Sequence, residues 1–181
     1  SFTQLSGCFS ALAPKMRVGG GMIVFTSVEE TQTIRTAAEQ AGFYYKTTGV
    51  WHKTNPIPVN YNLHYISSIE LWQYYTFQTR TGTFNNPAHH AVHNYVECAL
   101  PTPAEREQGK HPTQKPVELM SWFIRMLTNE NDTVCDPFMG SGSTGVAALD
   151  CKRRFIGVEK DPAYFTIAQR RLNDTPEPLF G

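Results

Sequence analysis

Apolar positions change their period several times along the chain, and each change marks an element. Leu5, Phe9 and Leu12 recur at helical spacing, so residues 1–18 predict a helix that Gly19-Gly20-Gly21 ends. Met22-Ile23-Val24-Phe25 is a short apolar run, the pattern of a strand buried on both faces of a parallel sheet. Thr26 or Ser27 offers a cap for a second helix through Ile34, Ala37, Ala38 and Ala41, which Gly42 stops; a strand follows from Phe43 to Trp51. Strand, helix and strand in succession imply α/β layering. Beyond Lys53 come Asn55-Pro56-Ile57-Pro58 and an aromatic cluster of Trp72, Tyr74, Tyr75 and Phe77. Residues 79–110 then lack a period and are rich in turn formers, which reads as an inserted, loop-rich region. Pro116 suits a first helical turn, and Met120, Phe123, Ile124 and Leu127 form an apolar stripe behind it. A strand ending at Asp136, a helix from Ser143 to Leu149 and a strand from Phe155 to Glu159 complete the pattern, before a last helix opened by Asp161-Pro162. In that helix Tyr164, Ile167, Ala168 and Leu172 face inward, with Arg170 and Arg171 turned to solvent.

With 181 residues and 40% hydrophobic content the chain can bury one core, so residues 1–78, 79–110 and 111–181 are expected to share one structural domain. Its 16 basic and 16 acidic side chains cancel, which excludes a global field for a polyanion and leaves nucleic-acid contact to local patches. No apolar stretch approaches the ~20 residues of a membrane span, and the first residues lack the basic and apolar regions of a signal peptide, so the expected setting is soluble and cytoplasmic with no membrane partner. Cys8, Cys98, Cys135 and Cys151 form no C-x-x-C pair, the usage of reduced thiols. His89 and His93 would share a face if Pro87 opened a helix, but no acid or cysteine has a defining spacing to them, and no metal site is assigned.

The chemistry concentrates in Val134-Cys-Asp-Pro-Phe-Met-Gly-Ser-Gly-Ser-Thr-Gly-Val146. A strand, a glycine turn, a helix, a second strand and an acid at its end make a nucleotide-binding βαβ half. Gly140 and Gly142 permit close backbone approach, the first amides of the following helix are free to donate, and Glu159 is placed to accept hydrogen bonds from a ribose diol. The turn has no Walker lysine, which argues against a nucleoside triphosphate. The G-x-G-x-x-G pattern of a dinucleotide site is formally complete at Gly140, Gly142 and Gly145. Asp136 would repel a pyrophosphate and attract an ammonium or a sulfonium, the two cations of S-adenosylmethionine. A plain tight turn in a parallel sheet is the simpler alternative.

These residues carry a resemblance. "DPFMGSGSTGVAAL", "RRFIGVEKDPAYFTIAQRRL", "KHPTQKPVELMSWFIRML", "LAPKMRVGGGMIVFTS" and "TTGVWHKTNPIPVNYNLHYISSIELW" together resemble the DNA amino-methyltransferases that modify adenine at its 6-amino or cytosine at its 4-amino group, in the subgroup whose catalytic half precedes the cofactor half. The resemblance implies a Rossmann-like, S-adenosylmethionine-dependent methyltransferase fold, with a mostly parallel sheet and helices on both faces. It implies the cofactor S-adenosylmethionine, double-stranded DNA as partner, and a prokaryotic or phage-type host. Asp136, Phe138, Gly140 and Gly142 fall on the family's cofactor turn, Thr144 at the helix start and Glu159 on the ribose. His111, Thr113 and Lys115 fall on the block lining the methionine end; Trp51, Lys53 and Asn55 fall near the DNA and the extruded base. From the residues alone, a solvated charge is the alternative at Lys115, and Trp51 is equally ordinary core.

The family's catalytic motif, a polar residue followed by Pro-Pro and an aromatic, accepts the amine's hydrogens and stacks on the flipped base. No Pro-Pro occurs in this sequence. Asn55-Pro-Ile-Pro58 and Asp136-Pro-Phe138 do not substitute for it, so no catalytic residue is assigned. The motif's strand belongs upstream of Met22, centrally between the strand ending at Asp136 and Met22–Phe25, and Ser1 falls just after its expected place. The fold is therefore expected to be incomplete at the N-terminus: a fragment of a longer methyltransferase, or a partner subunit whose missing strand comes from a second chain. A non-catalytic module that binds cofactor and DNA is the alternative. Sequence specificity is expected to reside in 79–110.

Overall fold

The computed structural model describes residues 2–175, which form two compact units, one running to Glu97 and the other from Cys98. Ser1 lies outside the described residues. In the first unit, helix α1 (Phe2–Leu12) and a 3-10 turn at Ala13–Lys15 lead to strand β1 (Gly21–Thr26). Helix α2 (Thr31–Gln40) and strands β2 (Phe43–Lys53), β3 (Ile69–Phe77) and β4 (Tyr95–Cys98) follow. The sheet order is β1-β3-β2-β4, with both β1–β3 and β2–β3 antiparallel. The Met22–Phe25 run is thus a strand, but its partner is antiparallel and its side chains are half-buried rather than buried on both faces. Apolar runs do not encode the direction of the neighbour.

The aromatic cluster explains the sheet. It is strand β3, buried continuously from Trp72 to Phe77 because β1 and β2 flank it. Alternation sends Tyr75 and Phe77 to one face, where they join Phe9 of α1, Ile34, Ala37 and Ala38 of α2, and Phe43 in a core cluster. Within it Phe43 lies 5.0 Å from Phe77 and 6.2 Å from Phe9, centroid to centroid. Gln73, also on that face, is buried with its amide donating to the Thr31 carbonyl at 3.2 Å and its oxygen accepting from the Tyr75 hydroxyl at 2.7 Å. Burial keeps that phenol well above its ordinary pKa. Helix α2 starts later than the expected cap: Val28 to Glu30 make a turn in which the Glu30 N–H donates to the Ser27 carbonyl, so neither Thr26 nor Ser27 caps it.

The second unit contains helix α3 (Val117–Leu127), strand β5 (Thr133–Asp136), helix α4 (Ser143–Asp150), strand β6 (Arg154–Gly157) and helix α5 (Pro162–Asp174). Strands β5 and β6 run parallel, from Thr133 beside Arg154 to Asp136 beside Gly157, as a βαβ crossover requires. Val134 and Phe155 pack with Ile124, Ala147, Ala148 and Cys151, while Cys135 and Ile156 on the opposite face are exposed. Glu105 ties the preceding loop to α3: its two carboxylate oxygens accept from the Val117 N–H at 2.7 Å and the Thr102 N–H at 2.8 Å. The region read as inserted loop therefore holds β4, a 3-10 turn at Ala104–Arg106, and the boundary between the two units. Residues 87–93 form no helix, so His89 and His93 share no helical face. Among the described residues no helix is long and apolar enough to cross a membrane.

Candidate functional site

The turn after β5 is built by its own side chains. One Asp136 oxygen accepts the Phe138 N–H at 2.9 Å and the other accepts the Thr144 hydroxyl at 2.6 Å, so the carboxylate spans from strand end to helix start. Gly140 and Gly142 take φ of 52° and 81°, a region costly for any side chain. Gly142 is the α4 N-cap, and a Cβ there would lie 3.0 Å from the Ala168 Cβ. The third glycine serves packing: a Cβ on Gly145 would meet Leu172 and Phe155 at 2.6 Å.

Strand β6 lashes the same turn from the other side. The Val158 N–H donates to the Asp136 carbonyl at 2.9 Å and the Met139 N–H to the Val158 carbonyl at 3.0 Å. Glu159 closes the arrangement, accepting the Gly140 N–H at 2.9 Å on one oxygen and the Asp161 N–H at 2.8 Å on the other. Two carboxylates, Asp136 and Glu159, thus converge on one short loop, held by backbone N–H groups and the Thr144 hydroxyl and leaving lone pairs for further donors. Phe138 stands at the same loop with its ring exposed.

His111 comes to this turn from the segment before α3. Its ring packs against Gly140, where a Cβ would lie 3.1 Å from Nε2, and meets Tyr164 edge-on at 4.3 Å. Burial lowers its pKa, with Lys115 adding to the effect and Glu159 and Asp161 opposing it, which favours the neutral imidazole. Its Nδ1 accepts from the Thr113 N–H at 3.4 Å. Thr113 and Lys115 follow on the same segment, the lysine donating to the Thr113 carbonyl at 3.2 Å.

The sequence reading placed Arg171 in solvent, and the structure overturns this. Arg171 is 7% exposed, and its Nη1 donates to the Ser141 carbonyl at 2.7 Å, the Ser143 hydroxyl at 3.1 Å and the Ser141 hydroxyl at 3.2 Å. The guanidinium therefore clamps the glycine turn from beneath, at the cost of a pKa pulled down by burial and partly restored by Glu105. The signal was present in the spacing, because 171 continues the inward stripe of 164, 167, 168 and 172; the charged residue type masked it.

Trp51, Lys53 and Asn55 belong to the first unit. Trp51 is 1% exposed. Lys53 lies over that ring at 5.3 Å and pairs with Glu70 at 3.6 Å, while Asn55 is exposed at the start of the β2–β3 loop. On the neighbouring strand β4, Glu97 accepts from Tyr95 at 2.7 Å and lies 2.9 Å from His52, contacts that lower its pKa and that no sequence spacing revealed.

A carboxylate-flanked glycine turn on a parallel βαβ unit defines a nucleoside-binding class of fold. The family model described as DNA methylase matches residues 2–170, and the chain belongs to that family. It is 34% identical over 170 residues to the type II methyltransferase M2.LlaDCHI of Lactococcus lactis subsp. cremoris and 32% identical over 166 residues to M2.DpnII of Streptococcus pneumoniae. Each match covers 87% of this chain and 62% of the relative, so the chain spans less than two thirds of their length. Among solved structures, M1.HpyAVI in its SAM complex superposes with a TM-score of 0.87 at 35% identity, over 94% of this chain and 83% of that one. The cytosine-N4-specific PvuII DNA methyltransferase, at 19% identity and a TM-score of 0.76, shares the fold.

Proposed function

We propose that this chain is the cofactor-binding and DNA-facing part of an S-adenosylmethionine-dependent methyltransferase acting on the exocyclic amine of adenine or cytosine in duplex DNA. The observation that carries the reading is the convergence of Asp136 and Glu159 on the turn that holds Gly140 and Gly142. The residues fit the group: carboxylates for a cation and a ribose diol, with the exposed Phe138 ring on the same loop. When bound, S-adenosylmethionine supplies an electrophilic methyl on a sulfonium. Asp136 would hold positive charge at the strand end with Thr144 fixing its orientation. Glu159 would exchange its grip on the Gly140 and Asp161 amides for, or add to it, the ribose hydroxyls. His111, Thr113 and Lys115 would line the methionine end, the neutral imidazole adding no repulsion to a cation. Lys53 and Asn55 would face the DNA, with Trp51 as the buried support beneath Lys53.

No Pro-Pro-aromatic motif lies within these 181 residues, so the groups that accept the amine's hydrogens come, in this reading, from a further segment or a second chain. Calorimetry with S-adenosylmethionine and transfer of its labelled methyl to unmethylated duplex DNA test the whole. Asp136→Asn is expected to weaken cofactor uptake by about tenfold, roughly 1.4 kcal/mol. Uptake of the cofactor by the Asp136→Asn, Glu159→Gln double variant as tight as by the wild type would refute the assignment.

A further inference from the structure

Strand β3 begins beside His52 and ends beside Phe43, so the sheet of the first unit has two ends, and the β2–β3 loop occupies only one of them. The other carries a shallow cavity of about 510 Å³ lined by Arg17, Gly19, Thr79, Thr81, Gly82 and Thr83. Two segments form it: residues 17–19, which lead into β1, and residues 79–83, which leave β3. Their backbones touch. A Cβ on Gly82 would lie 2.4 Å from the Gly19 carbonyl oxygen, and one on Gly19, which takes φ of 78°, would lie 3.1 Å from the Thr81 carbonyl oxygen. The Gly19 and Thr79 N–H groups both donate to the Phe77 carbonyl at 2.8 Å, which fixes the two segments to the same strand end. The polar side chains of the lining are one guanidinium and three hydroxyls. Arg17 donates from Nη2 to the Thr83 hydroxyl at 3.2 Å, and the Thr79 and Thr81 hydroxyls lie 3.3 Å apart.

Charge selects the ligand. No acid occurs among residues 1–28 or 71–96, so neither segment of the cavity brings a carboxylate. The same and adjoining segments carry three more exposed cations: Lys15, Lys46, whose ammonium donates to the Arg80 carbonyl at 2.7 Å, and Arg80, whose guanidinium lies 5.5 Å over the Tyr44 ring. Glu39, in the last turn of α2, is engaged by Arg35 at 2.9 Å. A planar fork of N–H donors with hydroxyls beside it is complementary to a tetrahedral oxyanion, and an apolar ligand would meet only Val18 in the lining. We propose that this cavity binds a phosphate group. Strand β3 is nine residues long, which at about 3.3 Å per residue puts the cavity roughly 25 Å from the end that carries Lys53 and Asn55. A phosphate on a small diffusible molecule therefore fits this position better than a backbone phosphate of the duplex that Lys53 and Asn55 face. That choice of source rests on the function proposed above; the phosphate site itself does not.

The test titrates inorganic phosphate into the full-length protein at constant ionic strength, with and without saturating duplex DNA, and follows the amide resonances of residues 17–19 and 79–83. The wild type is expected to show saturable shifts confined to those two segments, with sulfate competing. Arg17→Gln should lower phosphate affinity by about tenfold or more, while cofactor uptake and the thermal midpoint stay as in the wild type. Arg17→Lys, which keeps the charge but loses the fork, should fall between the two. Thr81→Val, which leaves every cation in place, should also weaken phosphate, by a smaller factor. Absence of saturable shifts in the wild type overturns the proposal, as does a folded Arg17→Gln, Thr81→Val double variant that binds phosphate as tightly as the wild type. Displacement of the bound phosphate by duplex DNA overturns the small-molecule source and gives the site to the DNA backbone. A wild type that takes up phosphate here but no S-adenosylmethionine sinks the methyltransferase reading and upholds this site, so the two failures are distinguishable.

Discussion

Two loops that follow strand ends, residues 137–142 after β5 and residues 54–68 after β2, solve opposite problems. The first is held on every side. Asp136, Glu159 and Arg171 reach it from the strand end, the next strand and the last helix, and its glycines leave no room for side chains. The second is tied at its base and tip by backbone bonds and presents all its side chains from 57 to 65 to solvent. The turn is therefore fixed by its own side chains, whereas the side chains from 57 to 65 are not.

The sharpest challenge to this contrast is Arg171→Leu. It strands the Ser141 carbonyl and the Ser143 hydroxyl, and a loss of about 3 kcal/mol is expected in chemical denaturation. An unchanged midpoint would show that the clamp does not hold the turn. Gly142→Val comes next: the strained φ and the crowding on Ala168 should cost about 1–3 kcal/mol and lower cofactor affinity in the folded fraction.

A pH titration sharpens the picture further. Burial lowers the His111 pKa in the folded state, so the unfolded chain binds a proton first on acidification. Stability contributed by the neutral ring is present above the unfolded value near 6.5 and is lost as pH falls through that value towards the lower folded one. His111→Gln should flatten the slope of stability between about pH 7.5 and 5.5, and a slope identical to wild type would remove His111 from the account. The smallest effect belongs to the other loop: Tyr65→Ser should change stability by no more than about 0.5 kcal/mol. A larger loss in thermal unfolding would mean that the loop is packed in solution.

The pattern along the chain determined more of the second unit than of the first. Strand, glycine turn, helix, strand and capped helix were legible because each depends on local features: a period, glycines at φ above zero, and Asp161 before Pro162, whose carboxylate caps α5 by accepting the Ala163 and Tyr164 amides. Asp136, Glu159 and the two glycines could be chosen for the same reason. In the first unit the helices and the Phe43 strand were legible, but the aromatic run at 72–77 did not declare itself the central strand, since burial on both faces erases alternation.

What tertiary structure alone decided are the long-range pairings. The antiparallel partner of Met22–Phe25, the burial of Trp51, the approach of His111 to Gly140, and the Arg171 clamp all join residues far apart in sequence. Hydropathy assigns a side chain to inside or outside by type, yet a guanidinium can be buried when the carbonyl and hydroxyls of a turn meet it there. The residue types thus fixed which chemistry was available at the glycine turn, and the packing of α5 beneath it set the geometry in which that chemistry is held.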